Sequence, residues 1–160
     1  MTSVDKAETV RCEIRDARGR ILLLEKDAAS KNPGMLEFPG GKIDTAQAGH
    51  STAAEQRRSV VREVLEETGL DLSGFAIERT GGFSHAFEAA GIPYERDVHL
   101  WRAQLPAGYD AIQVNRTMRA DGGSEDKHAS FRWVTPDEFR RLREEGRIAA
   151  NSCRPESRDG

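Results

Sequence analysis

Three scarcities set the first limits. Only two of the 160 residues are cysteines, Cys12 and Cys153, near opposite ends of the chain. That pair makes neither a disulfide framework nor a zinc-ligand pattern, so two free thiols in a reducing compartment is the reading. Long apolar runs are missing. No stretch approaches the ~18 consecutive apolar residues that a membrane span needs. The opening "MTSVDKAETV" has no apolar core, so no secretory signal is expected and the chain reads as cytoplasmic. Charge of one sign is also lacking. The formal net charge is -3, which excludes a global basic field for nucleic acid or membrane. A phosphorylated ligand would need a local cation, from a few Lys or Arg side chains or from a bound metal.

What is present suits one domain with one core. Charged residues make up 32% and hydrophobic ones 37%, polar for a globular chain but not a disordered composition. We find no internal repeat and no linker. A single domain is expected over residues 1–150, followed by a polar tail, 151–160, that frays.

Hydrophobic period and turn signals give the element order. "ETVRCEIRD" (8–16) and "ILLLEK" (21–26) read as strands around a turn at Gly19. "MLEFPGGKI" (35–43) reads as a short strand broken at Pro39-Gly40-Gly41. "DTAQAGHST" reads as a loop. Thr52 and Glu55 form a capping box that opens a helix, which runs to Thr68 and stops at Gly69. "FAIERTGGFSHAF" and "ERDVHLWRAQL" read as strands flanking a loop at "EAAGIPY", and "FRWV" (131–134) as another strand. A polar loop is expected around 121–127. Thr135, Pro136 and Gly146 mark the start and stop of a second helix.

The first helix carries the chemistry. On a wheel of about 100° per residue, Val60, Val61, Val64, Leu65 and Thr68 fall on one side, and Glu63, Glu66 and Glu67 on the other. Each like-charge pair at three or four residues' spacing costs roughly 0.2–0.5 kcal/mol. Two of the acids also sit in the last turn, the wrong end for the helix dipole. Three acids alone are usually a solvated face. Three converging carboxylates also suit Mg²⁺, which takes a few carboxylates and completes its shell with water and phosphate oxygens.

Context decides between these readings. Arg62-Glu63-Val64-Leu65-Glu66-Glu67-Thr68-Gly69-Leu70, preceded by "EFPGGKID", resembles the second half of the Nudix box as MutT-like members of the Nudix hydrolases carry it. The order of strands and helices fits the same family along nearly the whole chain. The resemblance implies an α/β fold, a Nudix α/β/α sandwich with a mixed β-sheet. It implies an enzyme that uses Mg²⁺, or Mn²⁺ in its place, to cleave a phosphoanhydride bond of a nucleoside diphosphate linked to another moiety. The "EFPGGKID" segment inclines this toward nucleoside triphosphates, oxidised ones included. ADP-ribose, nucleotide sugars and dinucleoside polyphosphates stay open, as does a non-catalytic nucleotide-binding domain. A small-molecule nucleotide is the expected partner, with no stable nucleic-acid binding and no membrane. A homodimer stays open.

By the same resemblance Gly41, Glu63, Glu66 and Glu67 are the metal ligands and Arg62 orients a box glutamate. Glu125, in "SEDKHASFRWV", is the first choice for a further ligand or general base, with His128 behind it and Asp126 nearby. Lys26 and Lys42 are candidates for substrate phosphates. Phe38, Phe83 and Trp101 are candidates for stacking on a base, though each is more often core, as is Trp133. His85 and His99 carry no ligand spacing and receive no role.

The first half of the box departs from the pattern. Twenty residues separate Gly41 from Arg62, a surplus of seven over the motif. The position eight before Arg62, where the family carries its first glutamate, is Ala54, with Glu55 beside it.

Overall fold

A computed structural model describes residues 3–27, 33–43, 50–109 and 128–153. Its elements are β1 (Asp5–Arg15), β2 (Ile21–Lys26), β3 (Leu36–Glu37), β4 (Gly40–Lys42), α1 (Ala53–Thr68), β5 (Ile77–Ala89), β6 (Ile92–Gln104), β7 (His128–Val134) and α2 (Pro136–Glu144). Seven strands form one mixed sheet in the order β3-β2-β1-β6-β5, with β4 added to β1 and β7 to β2. The β1–β6 pair is parallel and the others are antiparallel.

The run "ILLLEK" shows why the sheet needs helices on both faces. Leu22 and Leu24 enter one core with Val10, Cys12, Ile14, Trp101 and the α1 residues Val60 and Val64. Ile21 and Leu23 enter the other with Leu36, Phe38, Val134 and Ile148, against Phe139 and Leu142 of α2. A strand buried on both faces loses polar alternation and reads as a continuous apolar run. Each such side chain contributes roughly 1.5–3 kcal/mol by leaving water.

Strands β1 and β2 meet at Arg15 and Ile21. β4 then pairs with β1 through Thr9, Val10 and Arg11, while β3 pairs with β2 at Leu24 and Glu25. The segment 36–42 thereby crosses from one strand to the other. Helix α1 begins at the capping box of Thr52 and Glu55 and ends at Gly69 in the left-handed region, φ 78°. Those caps hold the carboxylate-bearing turns at a fixed place beside β4.

Three expectations change. The loop over 88–94 is instead the two-residue turn of a long hairpin, with Ala90 at φ 52° and Gly91 at φ 78°. Both positive φ values match the twist of the strands, and an alanine at the first position hides that turn from sequence patterns. The tail does not begin at 151: the Ser152 side chain is fully buried and its Oγ accepts a hydrogen bond from the Phe38 amide. Finally, Leu65 is 46% exposed whereas Glu63 is 8% exposed. The wheel separates apolar from acidic residues, but on α1 Glu63 is turned in against Gly41 of β4 and Leu65 is left in solvent.

Candidate active site

Two of the box carboxylates, Glu63 and Glu67, meet the glycines of β4. An ideal Cβ on Gly41 would stand 2.6 Å from Glu63 Cδ and 2.7 and 2.9 Å from its oxygens. Real Cβ contacts do not come that close, so glycine is required for this approach. The Gly40 amide donates to Glu67 Oε2 at 3.3 Å. Arg62 Nη2 donates to Glu63 Oε1 and to the Lys42 carbonyl, both at 3.3 Å, which ties the helix to the end of β4. Glu66 is exposed.

Electrostatics separate Glu63 from an ordinary surface acid. Burial pushes its carboxyl above the usual range and the Glu66 charge pushes the same way, against the pull of Arg62 and Arg11. Among the described residues no three His, Cys, Asp or Glu side chains close a metal shell by themselves. The donors at the β4–α1 contact are all hard oxygens. They fit a hard divalent cation that draws its remaining ligands from water and a phosphorylated substrate.

Other predicted positions are placed elsewhere. Lys42 is exposed beside the glycines. Glu125 and Asp126 lie outside the described residues. Trp101 is 5% exposed in the α1-side core, where its Nε1 donates to Gln56 Oε1 at 3.2 Å. Phe83 sits on β5 at a ring distance of 6.2 Å from His85.

Two substrate candidates and the runner-up base require correction. Phe38 is 3% exposed and stacks on Phe139 of α2 at 5.6 Å, so its ring is core. Lys26 and His128 belong to a buried charge cluster around Glu37. The Glu37 side chain is fully buried, with Lys26 Nζ at 3.7 Å, Arg11 Nη1 at 3.5 Å and His128 Nε2 at 2.8 Å. Asn151 Nδ2 donates to it at 2.9 Å. Burial alone would raise the Glu37 carboxyl; Arg11, His128 and Lys26 outweigh it and hold it down at about 2. A hidden acid in the apolar stretch "MLEF" was the one local signal for this cluster. Its partners come from four distant parts of the chain.

Cys12 shows the opposite balance. Burial pushes its thiol up to about 12, leaving a core residue without nucleophilic character.

The comparisons with known proteins give the family. The NUDIX domain family matches residues 5–153. A CTP pyrophosphohydrolase of Escherichia coli (strain K12) is 30% identical over 123 residues, covering 75% of this chain and 70% of that protein. The structure of a MutT protein from Methanosarcina mazei Go1 superposes with a TM-score of 0.61 at 22% identity, over 94% of this chain and 90% of that one. A C. elegans Ap4A hydrolase gives 0.56 at 20% identity, over 86% of each chain. Members of this family use a divalent metal, which is what the oxygen donors at β4 and α1 suit. With the family matched over both the sheet and the acidic helix, the chain belongs to the NUDIX family, as a MutT-like hydrolase acting on nucleotide pyrophosphate bonds.

Proposed function

We propose that the chain is a Mg²⁺-dependent pyrophosphohydrolase of nucleoside triphosphates, oxidised ones included. Water adds across the bond between the α and β phosphates, giving a nucleoside monophosphate and pyrophosphate. The observation that carries this is Glu63 packed against Gly41, with Glu67 on the neighbouring Gly40 amide. The 30% identity to a CTP pyrophosphohydrolase supports the triphosphate class.

In this reading Glu63, Glu66, Glu67 and the Gly41 carbonyl would hold Mg²⁺. When bound, the cation neutralises phosphate charge and lowers the pKa of the attacking water. Arg62 holds Glu63 in place through its charge-assisted hydrogen bond. Lys42, exposed next to the glycines, meets a substrate phosphate. Glu125 supplies a further ligand or the general base.

A second reading, a nucleotide-binding domain without turnover, is favoured by one observation. Ala54 occupies the place of the first box glutamate, exposed in the first turn of α1. Against it stand the three acids, since a binding module gains nothing from their repulsion.

The test is release of pyrophosphate and phosphate with Mg²⁺ from unmodified and 8-oxo nucleoside triphosphates, ADP-ribose, nucleotide sugars and dinucleoside polyphosphates. Glu67→Gln and Glu125→Gln run beside the wild type. Pyrophosphate from a triphosphate, abolished in Glu67→Gln, is the expected result. Nucleotide binding with no turnover across the panel would select the second reading.

A further inference from the structure

The irregular half of the box has a structural counterpart in β1. Residues 44–50 separate Ile43, just past β4, from Ser51, just before the N-cap of α1. Both flanking residues are bound by one residue, Glu8. Its backbone carbonyl accepts from the Ile43 amide at 3.0 Å. Its carboxylate accepts from the Ser51 amide at 3.0 Å and from Ser51 Oγ at 2.8 Å.

Glu8 is itself held. It is 8% exposed, and His99 Nε2 lies 2.9 Å from Oε1. Arg79 Nε donates to His99 Nδ1 at 3.3 Å, so Nε2 carries the proton that Glu8 accepts. On the other side Gln56 Nε2 donates to Ser51 Oγ at 3.0 Å and Gln56 Oε1 accepts from Trp101. Burial would raise the Glu8 carboxyl, but the bonds from His99 and Ser51 hold it below its ordinary value. His99, without ligand spacing in the sequence, thus has a partner that fixes its orientation.

The consequence lies at the metal site. β4 and the carboxylates of α1 must stay in register for Gly41 to face Glu63. Here the spacing from Gly41 to Arg62 is seven residues longer than the motif's, and bringing together two points farther apart along a chain costs more entropy.

We propose that Glu8 is a positioning residue for hydrolysis. Its backbone continues the ladder that fixes β4 on β1, and its carboxylate ties Ser51, at the start of α1, to the same strand, so that one residue of β1 sets β4 against the carboxylate face of α1. This rests on the reading that Glu63 and Glu67 bind the metal.

The experiment is titration of the full chain with Mn²⁺ alone, followed by the electron paramagnetic resonance of free Mn²⁺. Wild type, Glu8→Gln, Glu8→Ala, Ser51→Ala and Glu67→Gln are compared, with melting curves and kcat and KM on the best triphosphate. Supporting groups behind metal ligands typically change affinity about 10–100-fold. Glu8→Ala is expected to weaken Mn²⁺ binding within that range and to lower kcat more than it raises KM. Ser51→Ala is expected to do so more weakly, and the isosteric Glu8→Gln to fall between wild type and Glu8→Ala. A Glu8→Ala protein that melts lower but binds Mn²⁺ within about twofold of wild type overturns the proposal, because a purely structural bond would do that. If Glu8→Ala does not fold, Ser51→Ala and Glu8→Gln decide by the same criterion. Failure of the metal reading looks different: the wild type itself would take up no Mn²⁺, or Glu67→Gln would bind as well as wild type. Either outcome overturns the proposal together with its basis.

Discussion

Glu37 and Glu63 are glutamates on either side of the same glycine pair, and the fold treats them in opposite ways. Glu37 is surrounded by Arg11, Lys26, His128 and Asn151, and its carboxyl is held down at about 2. Glu63 has Arg62 beside it, but burial and the charge of Glu66 hold its carboxyl above the usual range. Both are mostly hidden from water. One acid is neutralised by the protein's own cations, as a structural charge must be. The other is left to be neutralised from outside. A buried acid is thus a tie or a binding group according to which charges the fold brings to it.

The contrast can be broken first at Glu37. Glu37→Ala leaves Arg11, Lys26 and His128 crowded together without their anion. Breaking a buried pair in this way costs roughly 3–5 kcal/mol, so chemical denaturation should show a loss of that size. A loss under about 1 kcal/mol would mean that the cluster is not a tie. Its lowered carboxyl also sets a direction with pH. The folded value lies below the unfolded 4.5, so the stability it contributes is present above that pH and disappears as pH falls toward 2. Urea midpoints measured from pH 5 down to 2.5 should fall less steeply in Glu37→Gln than in wild type.

At the other acid the effect should appear in activity. Glu67→Gln should lower kcat/KM at least about 100-fold, with a change in stability below about 1 kcal/mol. Steady-state kinetics and a melting curve on the same preparation separate the two. A large fall in stability would instead put Glu67 on the structural side of the comparison.

The two adjacent glycines sharpen it further. A Cβ at Gly41 meets the movable carboxylate of Glu63, whereas one at Gly40 meets the backbone carbonyl of Val10. Gly41→Ala should therefore fold with near-native stability and lose about tenfold or more in metal affinity. Gly40→Ala should lose stability by about 1–3 kcal/mol, the usual range for overpacking, by forcing β4 off β1. Paired thermal shift and Mn²⁺ titration read both effects, and equal losses of stability would erase the distinction.

The smallest effect lies far from either acid. Ala90 at φ 52° sits where an L side chain costs roughly 1–2 kcal/mol. Ala90→Gly should raise stability by up to about 1 kcal/mol and leave kcat unchanged.

How much of this was legible in the sequence follows locality. The start and stop of α1, the span of β2 and the opening of α2 rest on caps and periods written within a few residues. The box rests on a spacing that one helix preserves, so the acids could be named before their surroundings were visible. Glu37 and Glu8 could not be found in that way. Their partners are scattered along the chain, at 11, 26, 128 and 151 for one and at 43, 51 and 99 for the other. Lys26 and Phe38 were misread for the same reason, since only the folded chain shows that the ammonium faces Glu37 and the ring faces Phe139. The exposed Leu65 records a different failure. A wheel assigns the apolar side to the core, and here the sheet takes in Glu63 at Gly41 and leaves Leu65 in solvent.

The central claim is that the crowded acids of α1 are held for a divalent cation. It is tested most directly by the melting temperature of the wild type across pH 4.5 to 8, with EDTA and with saturating Mg²⁺. Glu63 has a raised folded value, so without metal its contribution to stability is present below 4.5 and lost as pH rises through that raised value. Bound Mg²⁺ should restore what is lost. The account predicts that the gain from Mg²⁺ is smallest at pH 4.5 and grows as pH rises. A gain that is absent, or that does not change with pH, would contradict it.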